Sequence, residues 1–466
     1  MSDGSSVGRL SELLRARAAG AAPGSRLPSA RELVTEHAVG PGTVSRAVAR
    51  LVAEGVLVTE PGRGTFVAPR RPDSDRRREL DTGWQTVALG EASFDGRDVA
   101  ALLQPAGPEV LLLSTGYPAP DLQPLAALTA AASRAARRPG AWALAPTAGL
   151  PELRSLLAAA VGADPADALV VPGGQAGLSA ALRALAPPGS PVLVEVPTYL
   201  GALAAARASG LRPVPVPTDA AGLRADLLPE AFARSGARLL YVQPTYANPT
   251  GVVLDPARRT AVLDAARRAG AFVLEDDWAR HLSLDGPAPA PLLHDDVDGH
   301  VVHLSSLSKA AAPSLRIGAL VARGPAAARL AAVRLVDDFG VARPLQETAV
   351  ELLGAPAWPR HLARLGSVLR RRRDHLAAEL RRTLPNLAPP QLPRGGLHLW
   401  LRLPAGTDDV ELATRARARD LVVGAGRPYF VTEPPASHLR LSYAGANEQQ
   451  LTTGVQRLAE LLTQSR

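Results

Sequence analysis

Over residues 109–466, short apolar segments alternate with longer segments rich in Ala, Leu and Arg. The apolar segments have the length of buried strands, and the segments between them have the length and composition of helices. This alternation is typical of βα units that surround a mostly parallel sheet. We therefore predict an α/β domain over residues 109–466, which is long enough to enclose a large core.

A polar cluster directly follows each of five apolar segments. In open α/β sheets, ligands bind outside the carboxyl ends of the strands, so these clusters are expected to meet in one pocket. The first cluster is glycine-rich and precedes a helical segment, an arrangement in which backbone N–H groups and the helix dipole hold a phosphate. The five clusters are residues 173–175, 197–199, 248–251, 275–277 and 305–309.

The last cluster ends at Lys309, the only lysine in the chain. The formal net charge is +8, and nearly all of the cationic charge comes from arginine. This balance hints at a polyanionic partner, although a high-GC coding bias accounts for most of it. Arginine replaces lysine as a solvated charge, but its guanidinium cannot form a Schiff base. The single lysine therefore indicates a covalently held carbonyl cofactor.

The residue types of the clusters fit pyridoxal 5'-phosphate (PLP). Lysine forms the Schiff base with the aldehyde, and a carboxylate keeps the pyridine nitrogen protonated so that the ring accepts electrons. An aromatic side chain stacks on the ring, while amide, hydroxyl and guanidinium groups bind the phenolate oxygen and the phosphate. We predict no metal, because cysteine is absent and four histidines in the same region lack ligand spacing. These histidines are His281, His294, His300 and His303.

The first 69 residues have the pattern of a winged helix-turn-helix. Ser29 and Glu32 form a capping box that opens a helix to about residue 37. Gly40 and Pro41 open a second helix to about residue 54, and two short β segments then flank the basic turn 61–64. This arrangement is typical of DNA-binding domains in which the second helix enters the major groove. The predicted inner face of that helix comprises Val44, Val48, Leu51 and Val52.

Three segments of this region resemble the winged helix-turn-helix of GntR-type regulators: "PGSRLPSARELV", "GTVSRAVARLVAEGVL" and "GRGTFVA". The recognition helix departs from the family because Gly40 and Pro41 occupy positions that are often polar or basic, which removes possible base contacts. A winged helix that binds a protein is the alternative. The residues that the resemblance places on DNA are Arg31, Thr43, Ser45, Arg46, Arg50, Arg63, Gly64 and Thr65.

The motifs "NPTG" and "SLSKAAAPSLRIG" resemble fold type I PLP enzymes, the aspartate aminotransferase superfamily. The resemblance implies a smaller C-terminal α+β subdomain beside the sheet. It makes Lys309 the Schiff-base lysine, pairs Asp276 with the pyridine nitrogen and places Asn248 on the phenolate oxygen. It also implies that Tyr199 stacks on the ring and that Arg440, in "HLRLSYA", binds the α-carboxylate of a ligand. The implied phosphate site comprises Gly174, Gln175, Ser306 and Arg316.

Two segments depart from this superfamily. Trp278 stands where many relatives have a tyrosine that helps to hold the phenolate, and indole donates one hydrogen bond but cannot accept one or titrate. The segment "WALAPTAGLPELR" offers Trp142, Pro146 and Gly149 in place of a Tyr-x-Asp-x-x-Gly pattern. We expect Trp278 to affect the pKa and reactivity of the Schiff base. The second segment often helps to form the active-site entrance in the superfamily, so we expect its alteration to affect which ligand the site accepts.

The whole chain resembles the MocR/GabR family, with the winged helix at 1–69, a linker at 70–108 and the aminotransferase-like domain at 109–466. This implies a PLP-dependent transcriptional regulator that binds double-stranded promoter or operator DNA. It would sense PLP or an amine or amino acid through aldimine chemistry. The family also implies a head-to-tail homodimer. An active aminotransferase with a DNA-binding appendage, and a structural dimeriser that no longer uses PLP, are the alternatives.

The N-terminus lacks a basic segment followed by an apolar one, so we predict no signal peptide. Uninterrupted apolar runs are too short to span a bilayer. Both observations lead us to expect a cytoplasmic protein without membrane contact.

Overall fold

The computed structural model describes residues 6–69, 82–90, 96, 99–100, 107 and 109–463. The chain divides into two compact units, which meet in sequence at residues 91 and 92. Within the described residues, no helix is both long enough and apolar enough to cross a membrane.

The N-terminal unit is a three-helix domain with a two-stranded wing. Its helices are α1 (Ser6–Ala19), α2 (Ala30–His37) and α3 (Pro41–Ala53), and β1 (Leu57–Glu60) pairs antiparallel with β2 (Gly64–Val67). The predicted capping box is confirmed, because the Glu32 N–H donates to Ser29 Oγ at 3.3 Å and the Ser29 N–H donates to Glu32 Oε2 at 2.6 Å. Both bonds fix the start of α2.

The predicted inner face of α3 is wrong at one position. Val44 and Leu51 are buried and Val48 is partly buried, but 38% of Val52 is exposed. Ala47 is fully buried in its place, since the core of this small unit accepts a narrower stripe of α3 than the apolar pattern suggested.

An additional helix, α4 (Gly83–Leu89), lies within the segment predicted to be an irregular linker. It corrects that expectation locally. All of its residues are exposed, so no buried apolar face revealed it in the sequence.

The C-terminal unit is built on an eight-stranded sheet with the order β4-β11-β10-β9-β8-β5-β6-β7. Strands β10, β9, β8, β5 and β6 run parallel, whereas β11 and β7 pair antiparallel with their neighbours. The mostly parallel α/β sheet that the sequence predicts is therefore confirmed. The strands are β4 (Ala168–Val171), β5 (Pro191–Val196), β6 (Arg212–Asp219), β7 (Gly222–Leu223), β8 (Leu239–Val242), β9 (Phe272–Asp277), β10 (Val301–Ser306) and β11 (Gly318–Val321).

Helices cover this sheet, and the apolar side chains of its central strands are buried. The helices that precede or follow its strands are α5 (Leu125–Ala136), α6 (Pro151–Ala159), α7 (Gly174–Leu185), α8 (Leu200–Ala208), α9 (Leu228–Ser235), α10 (Pro256–Ala269), α11 (Leu292–Asp295), α12 (Gly324–Asp338) and α13 (Arg343–Leu353).

A smaller α+β subdomain follows, as the sequence predicts. The long helix α14 (Ala357–Thr383) leads into β12 (His398–Arg402), which pairs antiparallel with β15 (His438–Ser442) beside β14 (Gly424–Ala425). Strand β3 (Leu111–Leu112) comes from the start of the unit and pairs parallel with β13 (Leu421–Val422). Helices α15 (Asp409–Arg417) and α16 (Glu448–Thr463) complete the subdomain.

Candidate cofactor site

One cavity lies at the carboxyl ends of the parallel strands, where β5, β8, β9 and β10 end. Every residue that the sequence assigns to the cofactor lines it, together with Arg440 from β15. Five further residues also line it, and of these only Trp278 is recognisable from the sequence as a site residue. The predicted residues are Gly174, Gln175, Tyr199, Asn248, Asp276, Ser306, Lys309 and Arg316, and the further residues are Gly116, Tyr117, Leu178, Trp278 and His398.

Asp276 is a buried carboxylate with hydrogen-bond donors at only one of its two oxygens, among the described residues. Its Oδ2 accepts a 2.6 Å hydrogen bond from the Tyr241 hydroxyl and a 2.9 Å bond from Gln243 Nε2. Burial raises the pKa of Asp276, while these two donors and the charge of Lys309 oppose the rise. The other oxygen, Oδ1, has no hydrogen-bond partner in the described part of the chain. A protonated ring nitrogen is a suitable donor for it.

Lys309 lies three residues beyond the end of β10. Burial, aided by the charge of Arg316, lowers the pKa of Lys309 to about 8, although Asp276 opposes the change. A larger fraction of this amine is therefore unprotonated near neutrality than for a solvated lysine, and the unprotonated form attacks aldehydes. The Tyr117 ring covers it, with Nζ 5.0 Å from the ring centroid.

A cationic cradle lies at the start of α7. Gly173 precedes the helix with φ +87°, and an ideal Cβ at this position would lie 2.7 Å from Arg316 Nη2. Arg316 itself has a left-handed backbone, φ +49°, and its Nη2 donates to the Pro172 carbonyl at 3.1 Å. The first N–H groups of a helix have no intrahelical partner. The helix start and the guanidinium together can therefore bind a phosphate.

Tyr199 and Gln175 hold one another across the cavity. The Tyr199 hydroxyl donates to Gln175 Oε1 at 3.0 Å, and Gln175 Nε2 donates to the Gly201 carbonyl at 3.1 Å. Because its side chain is engaged with Tyr199, Gln175 offers a phosphate its backbone N–H at the helix start. Burial raises the pKa of Tyr199, so this ring stays neutral.

Arg440 and Asn248 both line the cavity and contact one another. Arg440 Nη1 donates to Asn248 Oδ1 at 3.0 Å and Nη2 donates to the Ser114 carbonyl at 2.6 Å, while the buried Nε has no partner in the described residues. Since the Asn248 oxygen accepts from Arg440, its amide NH₂ is left to donate to a ligand. The Tyr429 ring lies under the guanidinium, 5.2 Å from centroid to Cζ.

Trp278 does not restore the hydrogen bond that a tyrosine would supply. Its Nε1 is buried and has no partner within the described residues. The indole lies beside His398, with ring centroids 5.9 Å apart. Burial and the charge of Arg440 hold the pKa of His398 well below its usual range, so both rings are neutral. This part of the cavity is therefore an uncharged aromatic wall.

The altered entrance segment is largely exposed at Trp142, 79% of which is accessible to solvent. Gly149 adopts φ +103°, and an ideal Cβ there would lie 2.2 Å from Val170 Cγ2. Glycine is therefore required where the segment passes β4. Among the described residues, no group of three or more His, Asp or Glu side chains is arranged to hold a metal ion.

These polar groups match PLP group by group. One unprotonated amine suits an aldehyde, and a carboxylate with a free oxygen suits a ring nitrogen. An amide donor suits a phenolate oxygen, and the glycine and guanidinium cradle suits a phosphate. The donor set of this cavity thus fits PLP.

The predicted DNA-facing residues lie on a different unit. Arg31, Ser45, Arg46, Arg50 and Arg63 are exposed on α2, α3 and the turn before β2, whereas Thr43, Gly64 and Thr65 are partly buried. The arginines differ in how their charge is balanced. Arg50 lies 3.2 Å from Glu54, and Arg63 lies 2.5 Å from Glu60. Arg46 donates to the Gly42 carbonyl, and in the described structure neither Arg46 nor Arg31 has a carboxylate partner.

Comparison with known proteins decides the family. Residues 108–458 match the aminotransferase class I and II family, and residues 8–67 match the bacterial regulatory proteins of the gntR family. The chain belongs to both families. It is a GntR-type helix-turn-helix regulator with a PLP-dependent aminotransferase-like domain, which confirms the resemblance seen in the sequence.

Both regulators and aminotransferases are among the relatives of this regulator. The HTH-type transcriptional regulator TauR of Rhodobacter capsulatus is 30% identical over 94% of this chain and 92% of its own length. The 2-aminoadipate transaminase of Thermus thermophilus is 33% identical over 76% of this chain and 90% of its own length. The regulator is also similar to a solved α-aminoadipate aminotransferase from that organism, in complex with N-(5'-phosphopyridoxyl)-L-leucine. The two share 30% identity and a TM-score of 0.74, over 82% of this chain and 97% of the other.

Proposed function

We propose that this regulator attaches PLP to Lys309, and that PLP or an amino compound reacting with it changes the affinity of the winged helix for promoter DNA. The observation that carries the proposal is the convergence of all predicted cofactor residues around the only lysine of the chain. PLP supplies an aldehyde that captures amines and a ring that withdraws electrons from them.

Each residue of the cavity has a proposed task. Asp276 holds a proton at the ring nitrogen through its free Oδ1, and the Asn248 amide binds the phenolate oxygen. Tyr199 stacks on the ring, and Arg440 binds the carboxylate of an amino-acid effector. The phosphate is held by Gly174, Gln175, Ser306 and Arg316.

Promoter binding is proposed for the exposed face of the N-terminal unit. Arg31 and Arg46 carry positive charge that no described carboxylate balances, so they suit DNA phosphates or base edges. Arg50, Arg63, Thr43, Ser45, Gly64 and Thr65 complete the proposed DNA-binding set. Because promoter DNA is in the cytoplasm of a bacterial cell, we also propose that location.

We further propose a head-to-tail homodimer. Large apolar side chains are exposed in two segments of the C-terminal unit, at Trp142 and Leu144 and at Val336 and Phe339. The segments are neighbours, because an ideal Cβ at Gly340 would lie 3.9 Å from Thr147. An exposed apolar patch of this kind marks a protein interface. For the domain boundaries we retain residues 1–69, 70–108 and 109–466.

An active aminotransferase is the second candidate, since a working enzyme requires the same lysine and aspartate. The lengths of the matches argue against it, because a relative that matches 94% of the chain is a named regulator. The transaminase matches 76% of the chain. Turnover of amino donors with keto acids would reveal such an activity directly.

The test is DNA binding measured by fluorescence anisotropy, with DNA from upstream of the protein's own gene at fixed salt. We expect sequence-selective binding whose affinity changes when PLP is added to the apo protein. Lys309→Ala is expected to lose the visible absorbance of bound PLP and the response to PLP, yet to bind DNA as the apo protein does. Lys309→Arg is the matched control, because it keeps the positive charge but forms no covalent bond. A Schiff-base absorbance band retained in Lys309→Ala would refute the attachment site.

A further inference from the structure

The strongest unassigned feature near the cavity is Gln243, a buried side chain that contacts two cofactor residues. It directly follows β8, is 2% exposed and does not line the cavity. Its Nε2 donates to Asp276 Oδ2 at 2.9 Å, and its Oε1 accepts the Asn248 backbone N–H at 2.9 Å. One amide therefore connects the end of β9 to the turn that carries Asn248.

Gln243 is itself anchored. Its backbone N–H donates to Glu195 Oε2 at 2.8 Å, and Glu195 is buried on the neighbouring strand β5. Because three of its polar groups are engaged, the side chain has little freedom to rotate. It holds Asp276 and Asn248 at a fixed separation as long as these bonds persist.

We infer that Gln243 is a positioning residue that couples the group at the ring nitrogen of PLP, Asp276, to the group at its phenolate oxygen, Asn248. This inference rests on the proposed function, since it presumes that PLP occupies the cavity. An amide suits this task because it donates to a carboxylate and accepts from a backbone N–H at the same time. A hydrocarbon side chain of equal length would do neither.

Loss of the amide should alter the cofactor in a defined direction. The hydrogen bond from Gln243 lowers the pKa of Asp276. Without it, Asp276 takes the proton that it shares with the ring nitrogen more readily, so the ring nitrogen is less often protonated. The positive ring nitrogen repels a proton on the nitrogen that joins PLP to Lys309, so weaker ring protonation moves the absorbance titration of bound PLP to higher pH. Asp276 is also faced by Tyr241, Glu195, His303 and Lys309, which stay unchanged in the variant.

The experiment compares holo wild type with Gln243→Met, which keeps the length of the side chain without its polar atoms. The control is Gln346→Met, because Gln346 is fully buried and makes two bonds outside the cavity, to the Val341 carbonyl and from the Leu150 N–H. We expect Gln243→Met to bind PLP about tenfold more weakly, and its absorbance midpoint to rise by about one pH unit. Gln346→Met should change neither quantity, although both variants lose thermal stability.

Two further variants test the arrangement around Asp276 and Asn248. Tyr241→Phe removes only the other donor to Asp276 Oδ2, so it should raise the absorbance midpoint even if Gln243→Met folds poorly. Asn248→Ala should weaken PLP binding by a smaller factor in the Gln243→Met background than in wild type, because coupled residues are not additive.

Several results would overturn the inference. One is a Gln243→Met protein that titrates and binds PLP like wild type, and another is an equal change in Gln346→Met. Fully multiplicative effects of Gln243→Met and Asn248→Ala would refute the coupling. If wild type itself shows no PLP band, the proposed function fails first and the inference fails with it, so the two failures are distinguishable.

Discussion

Gly173→Ala is the sharpest test of the phosphate cradle, because the added methyl group would occupy the place of the Arg316 guanidinium. The ideal Cβ lies 2.7 Å from Nη2 and 2.8 Å from Cζ of Arg316, well inside van der Waals contact. Gly173 also has φ +87° and ψ 171°, a backbone region that only glycine adopts easily. A side chain there costs about 1–3 kcal/mol of folding stability.

The effect on cofactor binding follows from the displaced guanidinium. A charge-assisted contact with a phosphate contributes about 1.5–3 kcal/mol. Its loss would raise the dissociation constant for PLP by about tenfold to a hundredfold. We expect this change in an equilibrium titration followed by the visible absorbance of bound PLP, with folding monitored by thermal denaturation.

Gly189→Ala is the matched control for backbone strain. Gly189 has φ +85°, close to that of Gly173, and its ideal Cβ would have no atom within 4 Å. We expect this variant to lose stability but to bind PLP like wild type. If Gly173→Ala also bound PLP with wild-type affinity, Arg316 would not contribute to the phosphate site and the argument from the cradle would be wrong.

Three further predictions concern the titration of Lys309, the DNA face and the dimer. Because the pKa of Lys309 is lowered to about 8, capture of PLP by the apo protein should accelerate as pH rises through about 8, and a stopped-flow midpoint near the ordinary 10.5 would contradict this. Arg46→Ala should weaken DNA binding more than Arg63→Ala, since Glu60 already balances the charge of Arg63. It should also reduce the slope of log affinity against log salt concentration by about one. Equal losses of DNA affinity in the two variants, measured by anisotropy, would contradict this. Trp142→Glu should dissociate the proposed homodimer, and an unchanged sedimentation coefficient would count against that interface.

Local sequence signals predicted the fold, and they also predicted which side chains would meet in one cavity. The sequence predicts that clusters such as the one ending at Lys309 lie together, because parallel strands bring their carboxyl ends to one edge of the sheet. The side chains that hydrogen-bond to these residues cannot be predicted from the sequence in the same way. Gln243 looked like an ordinary residue after a strand, although the side chain of Asp276, 33 positions later, depends on it.

Residues that reach the cavity from distant parts of the chain were also missed. Tyr117 follows β3, a strand of two residues whose partner β13 lies more than 300 positions further on. His398 enters through β12 in the smaller subdomain, and its ring contacts Trp278. Periodicity reports which face of an element is buried, but it does not report which elements meet, so such contacts require the tertiary structure.

The proposed switch requires only a small difference in binding free energy. A tenfold change in DNA affinity requires the ligand to bind the two conformations with free energies that differ by about 1.4 kcal/mol. One charge-assisted hydrogen bond supplies that much. Arg440 makes two hydrogen bonds here, to Asn248 and to the Ser114 carbonyl, and a ligand carboxylate would compete for the same guanidinium. The exchange of a single hydrogen-bond partner at Arg440 therefore involves energies of the size that the switch requires, when the ligand makes this bond in only one of the two conformations.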